Sequence, residues 1–224
     1  MRSILALLLA FIPSASALLA RAASRGERAR GREVTLSGTL ETSGTSQPAK
    51  LVLHLPLQCR LERAEGLIAA VKGSSTMPIS SEEGSAGAPL SLLKLACPLI
   101  AYRGLGAATA GQMLSAAAAQ QGADVTTQTA LGRLADEVVY ILGAQPREQG
   151  KPQLWLYKDS AAPARLITRD GLDLRLLEYG SPAAAEWFPR VIELWQDGKQ
   201  AARFSVLEVK GVKGSAEDED DSGD

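Results

Sequence analysis

The sequence predicts an α+β fold: one antiparallel sheet with helices gathered on one face. Three observations predict it. Residues after position 32 alternate with period two, an Ala- and Leu-rich helical block fills the middle, and five short strands joined by tight turns close the chain. Composition agrees: the 224 residues are 46% hydrophobic and 22% charged, enough for one domain with a sizeable core. Aromatics are only 4%, so that core must be built from Leu, Val, Ile and Ala.

The N-terminus comes first. Met1-Arg2 is a short positive start, Ser3–Ile12 is almost wholly apolar, Pro13 breaks it, and Ala15-Ser16-Ala17 is a small-x-small pattern that signal peptidase reads. Ala20-Arg21-Ala22 is a second, poorer site. A retained anchor over Ser3–Ala20 is the less favoured reading, being barely long enough to span a bilayer and containing Pro13, Ser14 and Ser16. No cysteine follows the apolar run, so no lipid-attachment site does either. Residues 1–17 are therefore expected to be a cleaved signal peptide, and 18–32, with Arg21–Arg32 basic and Gly-containing, a flexible linker. Residues 33–212 form the expected domain and 213–224 an acidic disordered tail. The mature protein is expected to be periplasmic and not membrane-anchored.

Within the domain, Val34, Leu36, Gly38 and Leu40 alternate with Thr35, Ser37 and Thr39 as a half-buried strand does. Gly44–Pro48 reads as a turn cluster, and Lys50–Arg63 as one second strand with Pro56 at an edge or bulge. Gly66–Lys72 is the third strand, followed by a Ser- and Gly-rich loop to Pro89. Leu90–Tyr102 reads as a helix that Pro98 should kink or end, and Ala107–Gln121 as an Ala-rich helix. A third helix is expected from Thr126 or Thr127 to Leu142, because Leu131, Leu134, Val138 and Ile141 recur at helical spacing. Strands follow at Gln153–Lys158, Ala164–Arg169, Leu172–Tyr179, Arg190–Gln196 and Ala201–Lys210. Their short connections force antiparallel pairing.

Charge argues against a nucleic-acid partner. The net charge is −1, six acids crowd the last eight residues, and no Lys/Arg stripe is interleaved with aromatics. Cys59 and Cys97 are the only cysteines; in an exported protein they are expected to form a structural disulfide. The single histidine, His54, leaves too few partners for a zinc site and reads as structural. No metal or cofactor is expected.

Catalytic motifs are thin. Ser91-Leu-Leu-Lys94 matches S-x-x-K, but the companion S-D-N and K-T-G elements are missing. A hydrolase on Ser91 and Lys94 would be dismissed if the fold held them apart or outside any cleft. Gly104-Leu-Gly106 with Gly111 has the wrong spacing for a phosphate loop, and Asp170 and Asp173 flank a turn rather than form a catalytic pair. The sequence argues against an enzyme, with no catalytic residue named.

The C-terminal strands carry a resemblance. Trp155-Leu-Tyr-Lys158, Pro163-Ala-Arg-Leu166, Tyr179, Pro189 and Phe204–Val209 fall in the order seen in periplasmic lipoprotein-sorting proteins. The chain is similar to that family, the LolA/LolB-like carrier fold, over about its last third, with the opening strands fitting more loosely. The resemblance implies a strongly curved sheet, an incomplete barrel, with helices on its concave face. It also implies an apolar cavity between them that shelters a lipoprotein's acyl chains or another acylated ligand. An Ala/Leu helical block facing a Leu/Val sheet suits such a cavity and equally suits a filled core. The alternative to a carrier is therefore a non-catalytic structural or interaction module of the cell envelope, with an envelope protein as partner. Trp155, Tyr157, Trp187 and Trp195 are the candidates for a cavity mouth, although each is equally compatible with packing.

Overall fold

A computed structural model describes residues 12–25, 33–72, 87–103, 105–148, 150–180 and 187–211. The expected signal's apolar run up to Phe11 and the acidic tail lie outside them. From the N-terminal side, helix α1 (Ala15–Arg25) precedes strands β1 (Glu33–Thr42), β2 (Thr45–His54), β3 (Gln58–Arg63) and β4 (Gly66–Lys72). Helices α2 (Gly87–Ile100) and α3 (Ala107–Gln120) follow. Then come β5 (Thr129–Leu134), β6 (Glu137–Leu142), β7 (Gln153–Tyr157), β8 (Pro163–Ile167), β9 (Asp173–Tyr179), β10 (Pro189–Gln196) and β11 (Lys199–Lys210).

These strands form one sheet in the order β4-β3-β2-β1-β11-β10-β9-β8-β7-β6-β5, open at both edges. Every pairing is antiparallel. Two meanders join through β1 and β11, which fixes the role of the helices. The chain must travel from edge strand β4 to the opposite edge β5, and α2 and α3 make that crossing over one face.

The same crossing shows that the sheet curls. Helix α2 has 14 residues, about 21 Å of length, yet it touches both β4 and β8. Those strands are seven steps apart in the sheet, about 34 Å if it were flat. Only a sheet wrapped around α2 brings both into contact, and the helices therefore lie on its concave face. Core residues alternate accordingly: Val34, Leu36 and Leu40 of β1, Leu51 and Leu53 of β2, and Phe204 of β11 face the helices. At Gly38 a bulge shifts the β1–β11 register, and a Cβ there would lie 1.9 Å from the Ser205 carbonyl oxygen. Only glycine permits that approach.

Four expectations change. Residues 129–142 form the β5–β6 hairpin, where a helix from Thr126 or Thr127 to Leu142 was expected. Thr129, Val138, Val139, Tyr140 and Ile141 favour strand, and Ala135 takes φ 50° in the tight turn between them. Thr126 and Thr127 cap no helix; both hydroxyls donate to Asp124, which holds that carboxyl down at about 2. The single strand expected over Lys50–Arg63 is two, β2 and β3, separated by a turn through the cis Leu55–Pro56 peptide, and β2 already begins at Thr45. Pro98 does not end α2, which runs on to Ile100. Its missing N–H costs α2 one i→i−4 hydrogen bond, at the Lys94 carbonyl.

The fourth change concerns α1. The linker expected over 18–32 is helical up to Arg25, while residues 26–32 lie outside the described chain. Leu18, Leu19, Ala22 and Ala23 recur at i, i+1, i+4 and i+5 and are buried, so an apolar stripe seats the helix even though Arg21 and Arg25 face outward. It packs against α3, and the Tyr102 hydroxyl donates to the Ala22 carbonyl at 3.3 Å.

Candidate functional site

Helix α2 is the best-anchored part of the concave face. Its buried stripe contains Leu92, Leu93, Leu95, Ala96 and Leu99. The Cys59–Cys97 disulfide ties it to β3 with Cα atoms 5.9 Å apart, and the Leu57 amide in the β2–β3 turn donates to the Ala101 carbonyl at 2.8 Å. The disulfide was expected from the sequence and fits an oxidising compartment. Helix α3 is held differently. Its buried contacts are Ala110, Leu114 and Ala118, a stripe with one large side chain.

That contrast leaves a cavity of about 220 Å³ between α2, α3 and the sheet. Helix α2 presents Ser91, Lys94, Leu95 and Pro98 to it, four positions on one helical face. Helix α3 presents Met113, Ala116 and Ala117, with Gln120 and the following Gln121 at the edge. The sheet closes it with Val71 of β4 on one side and Leu166 of β8 and Leu172 on the other. The walls are thus aliphatic, and the polar side chains are Ser91, Lys94, Gln120 and Gln121. A wider groove of about 530 Å³ runs along the other flank of α3, between it and α1. There Gly111 lies close to the α1 backbone, 3.7 Å from Leu19 O to an added Cβ.

None of the four aromatic candidates lines the cavity. Trp155 faces the convex side in a small second cluster with Ala130, Val139, Ile141 and Ala164, its indole N–H donating to Gln153 at 2.8 Å. The Arg165 guanidinium covers its ring at 4.6 Å. Trp195 is also convex: Arg175 stacks on it at 4.5 Å and its N–H donates to Glu193 at 2.8 Å. Asp173 bridges Arg165 and Arg175 at 2.7 and 2.8 Å, so these two tryptophans belong to an ionic ladder across the back of the sheet.

Tyr157 and Trp187 belong to an aromatic cluster at one end of the sheet. Tyr157 packs edge-on against Tyr179 at 5.9 Å, and Tyr179 lies 5.9 Å from Trp187. Arg103, only 2% exposed, sits over the rings of Trp187 and Phe188 at 4.9 and 4.4 Å. Its Nη1 donates to the Ile100 carbonyl at 2.6 Å. Tyr157 and Tyr179 donate their hydroxyls to the Leu176 and Pro163 carbonyls. Burial is the main reason that the Tyr157 phenol is pushed up to about 12, and it raises Tyr102 and Tyr179 as well.

The residues the cavity does use were mostly not marked by the sequence. Ser91 and Lys94 were noted as an S-x-x-K match, and the fold does bring them together in one cleft, so placement alone does not dispose of a hydrolase. The α3 face 113/116/117/120 gave no signal, being indistinguishable from ordinary alanine-rich helix. His54, read as structural, sits across from Glu33 with Nδ1 3.1 Å from the carboxylate. Among the described residues no group of His, Cys, Asp and Glu is placed to hold a metal, and no helix is long and apolar enough to cross a membrane.

No family model matches the chain, and no curated protein does. Solved structures do. The chain is similar to a LolA superfamily protein of Nitrosomonas europaea, with a TM-score of 0.45 at 10% identity over 91% of this chain and 95% of that one. It is also similar to MucB, solved in complex with MucA from Pseudomonas aeruginosa, with a TM-score of 0.31 at 16% identity over 93% of this chain. It covers 61% of that MucB chain.

Proposed function

We propose that the protein is a soluble periplasmic carrier that shelters an acyl chain, of a lipoprotein or another acylated ligand, between α2, α3 and the concave face of the sheet. The observation that carries this reading is the aliphatic cavity beside a lightly seated helix. Apolar walls need no paired polar groups, and α3, held by Leu114 and two alanines, is the wall that can yield. Size limits the cargo. An apolar cavity of about 150 Å³ takes a six-carbon ring, so about 220 Å³ takes one chain segment of about nine carbons. A ligand with several acyl chains would require α3 to move.

Processing follows from α1. A cut after Ala17 keeps the buried Leu18, Leu19, Ala22 and Ala23, whereas a cut after Ala22 removes three of them from the core. The mature protein therefore begins at Leu18, which N-terminal sequencing tests. Native mass spectrometry of protein purified from its own compartment tests the carrier reading. A retained aliphatic chain supports it; a consistently lipid-free protein that also ignores a fluorescent fatty-acid probe sinks it.

The second reading is an envelope interaction module. It is favoured by how much of the concave face is already packed: Phe204, Leu36, Leu92 and Leu99 are fully buried around α2. Its partner would be an envelope protein, and it predicts that such a protein binds while acyl chains do not.

A further inference from the structure

We propose that the cavity takes a single-chain amphiphile with an anionic head: the chain lies among the aliphatic walls and the head sits on Lys94. This rests on the carrier reading and narrows its ligand. Lys94 lines the cavity on the same face of α2 as Ser91 and Pro98, one turn from each. It is neither exposed nor buried, and among the described residues no carboxylate pairs with it. The other described polar side chains on the wall, Ser91, Gln120 and Gln121, can all donate a hydrogen bond, and no Asp or Glu is among the described lining residues. Cation and donors without an acid complement an anion.

Filling the cavity favours that match. A chain packed against Leu95, Met113 and Leu166 removes water from around the ammonium group, and a cation losing its water without a partner is costly. A carboxylate or phosphate head offsets that loss with a charge-assisted hydrogen bond. A neutral head leaves Lys94 unpaired, and a cationic head meets like charge. With α3 in place, the volume of about 220 Å³ accommodates one chain.

The test is a competition titration of the intact protein, purified free of lipid, against a fluorescent fatty-acid probe. The competitors are decanoate, decyl phosphate, decanol and decyltrimethylammonium, each kept below its micellar range. The expected result is that one or both anions bind about tenfold more tightly than decanol, that the cation binds more weakly than decanol, and that added salt narrows the gap. The tighter of the two anions identifies the head as carboxylate or phosphate. In a Lys94→Gln variant with native thermal stability, the anions should fall to the decanol level. Equal binding of decanoate, decyl phosphate and decanol, or an anion preference that survives Lys94→Gln, overturns this inference while leaving the carrier reading intact. Failure of all four chains and of the probe overturns the carrier reading itself.

Discussion

Replacing Cys59 and Cys97 by alanine removes the covalent tie between β3 and α2, and the structure sets the size of the effect. The cysteines are 38 residues apart in sequence, and both are essentially buried. Opening a loop of that length returns about 4 kcal/mol of chain entropy to the unfolded state. For a chain of this size each kcal/mol moves the midpoint by about 2–4 °C, so the melting temperature should drop by about 8–16 °C. Circular dichroism melts of the native and Cys59→Ala/Cys97→Ala proteins measure it directly. A second readout separates global from local loosening. The face of α2 that carries Ser91, Lys94, Leu95 and Pro98 is held beside the sheet by this bond and by the Leu57 amide to the Ala101 carbonyl. Chain binding should therefore weaken in the variant even well below its melting point. A melting temperature within about 3 °C of native would refute the claim that the bond constrains this loop. Unchanged chain binding would refute the claim that it holds the cavity wall.

Two further outcomes follow from the packing. Gly38→Ala places a methyl group 1.9 Å from the Ser205 carbonyl oxygen, so β1 and β11 must part where the two meanders join. A loss of about 3 kcal/mol in chemical denaturation is expected, and a loss under about 0.5 kcal/mol would contradict the close approach. Burial holds the Tyr157 phenol up to about 12 and raises Tyr102 and Tyr179, and each of these hydroxyls donates to a backbone carbonyl, which a phenolate cannot do. The folded form thus keeps protons that the unfolded chain releases near pH 10, so this contribution to stability is complete below about pH 10 and is lost as pH rises toward about 12. An absorbance titration in which all four tyrosines ionise together near pH 10 in folded protein would contradict this arrangement.

Much of the sheet was legible because its signals are local. Val34, Leu36 and Leu40 alternate, and the turns at Arg169–Gly171 and Gln196–Lys199 are too short for anything but hairpins. The β5–β6 hairpin was not, because Leu131, Leu134, Val138 and Ile141 satisfy a helical period while the two-residue turn at Ala135–Asp136 carries no Gly or Asn to announce it. Helix α1 was hidden by its exposed arginines, which mask the buried stripe between them. The cavity was least legible of all. Its walls come from β4, α2, α3 and β8, and only the curl of the sheet brings Val71 and Leu166 to one space. Nor does any local pattern announce that Trp155 and Trp195 carry Arg165 and Arg175 stacked on their rings on the opposite face. Lys94 was visible as half of a discounted motif, and only the fold shows that it lines the cavity.

The most direct measurement is equilibrium binding of a fluorescent fatty-acid probe to the native protein and to Ala117→Trp, whose indole would occupy the space between α3 and the sheet. Saturable one-to-one binding by the native protein, weakened about tenfold or more in the variant at unchanged thermal stability, is the predicted result. A probe that binds neither protein, or both alike, would contradict the claim that this cavity holds the chain.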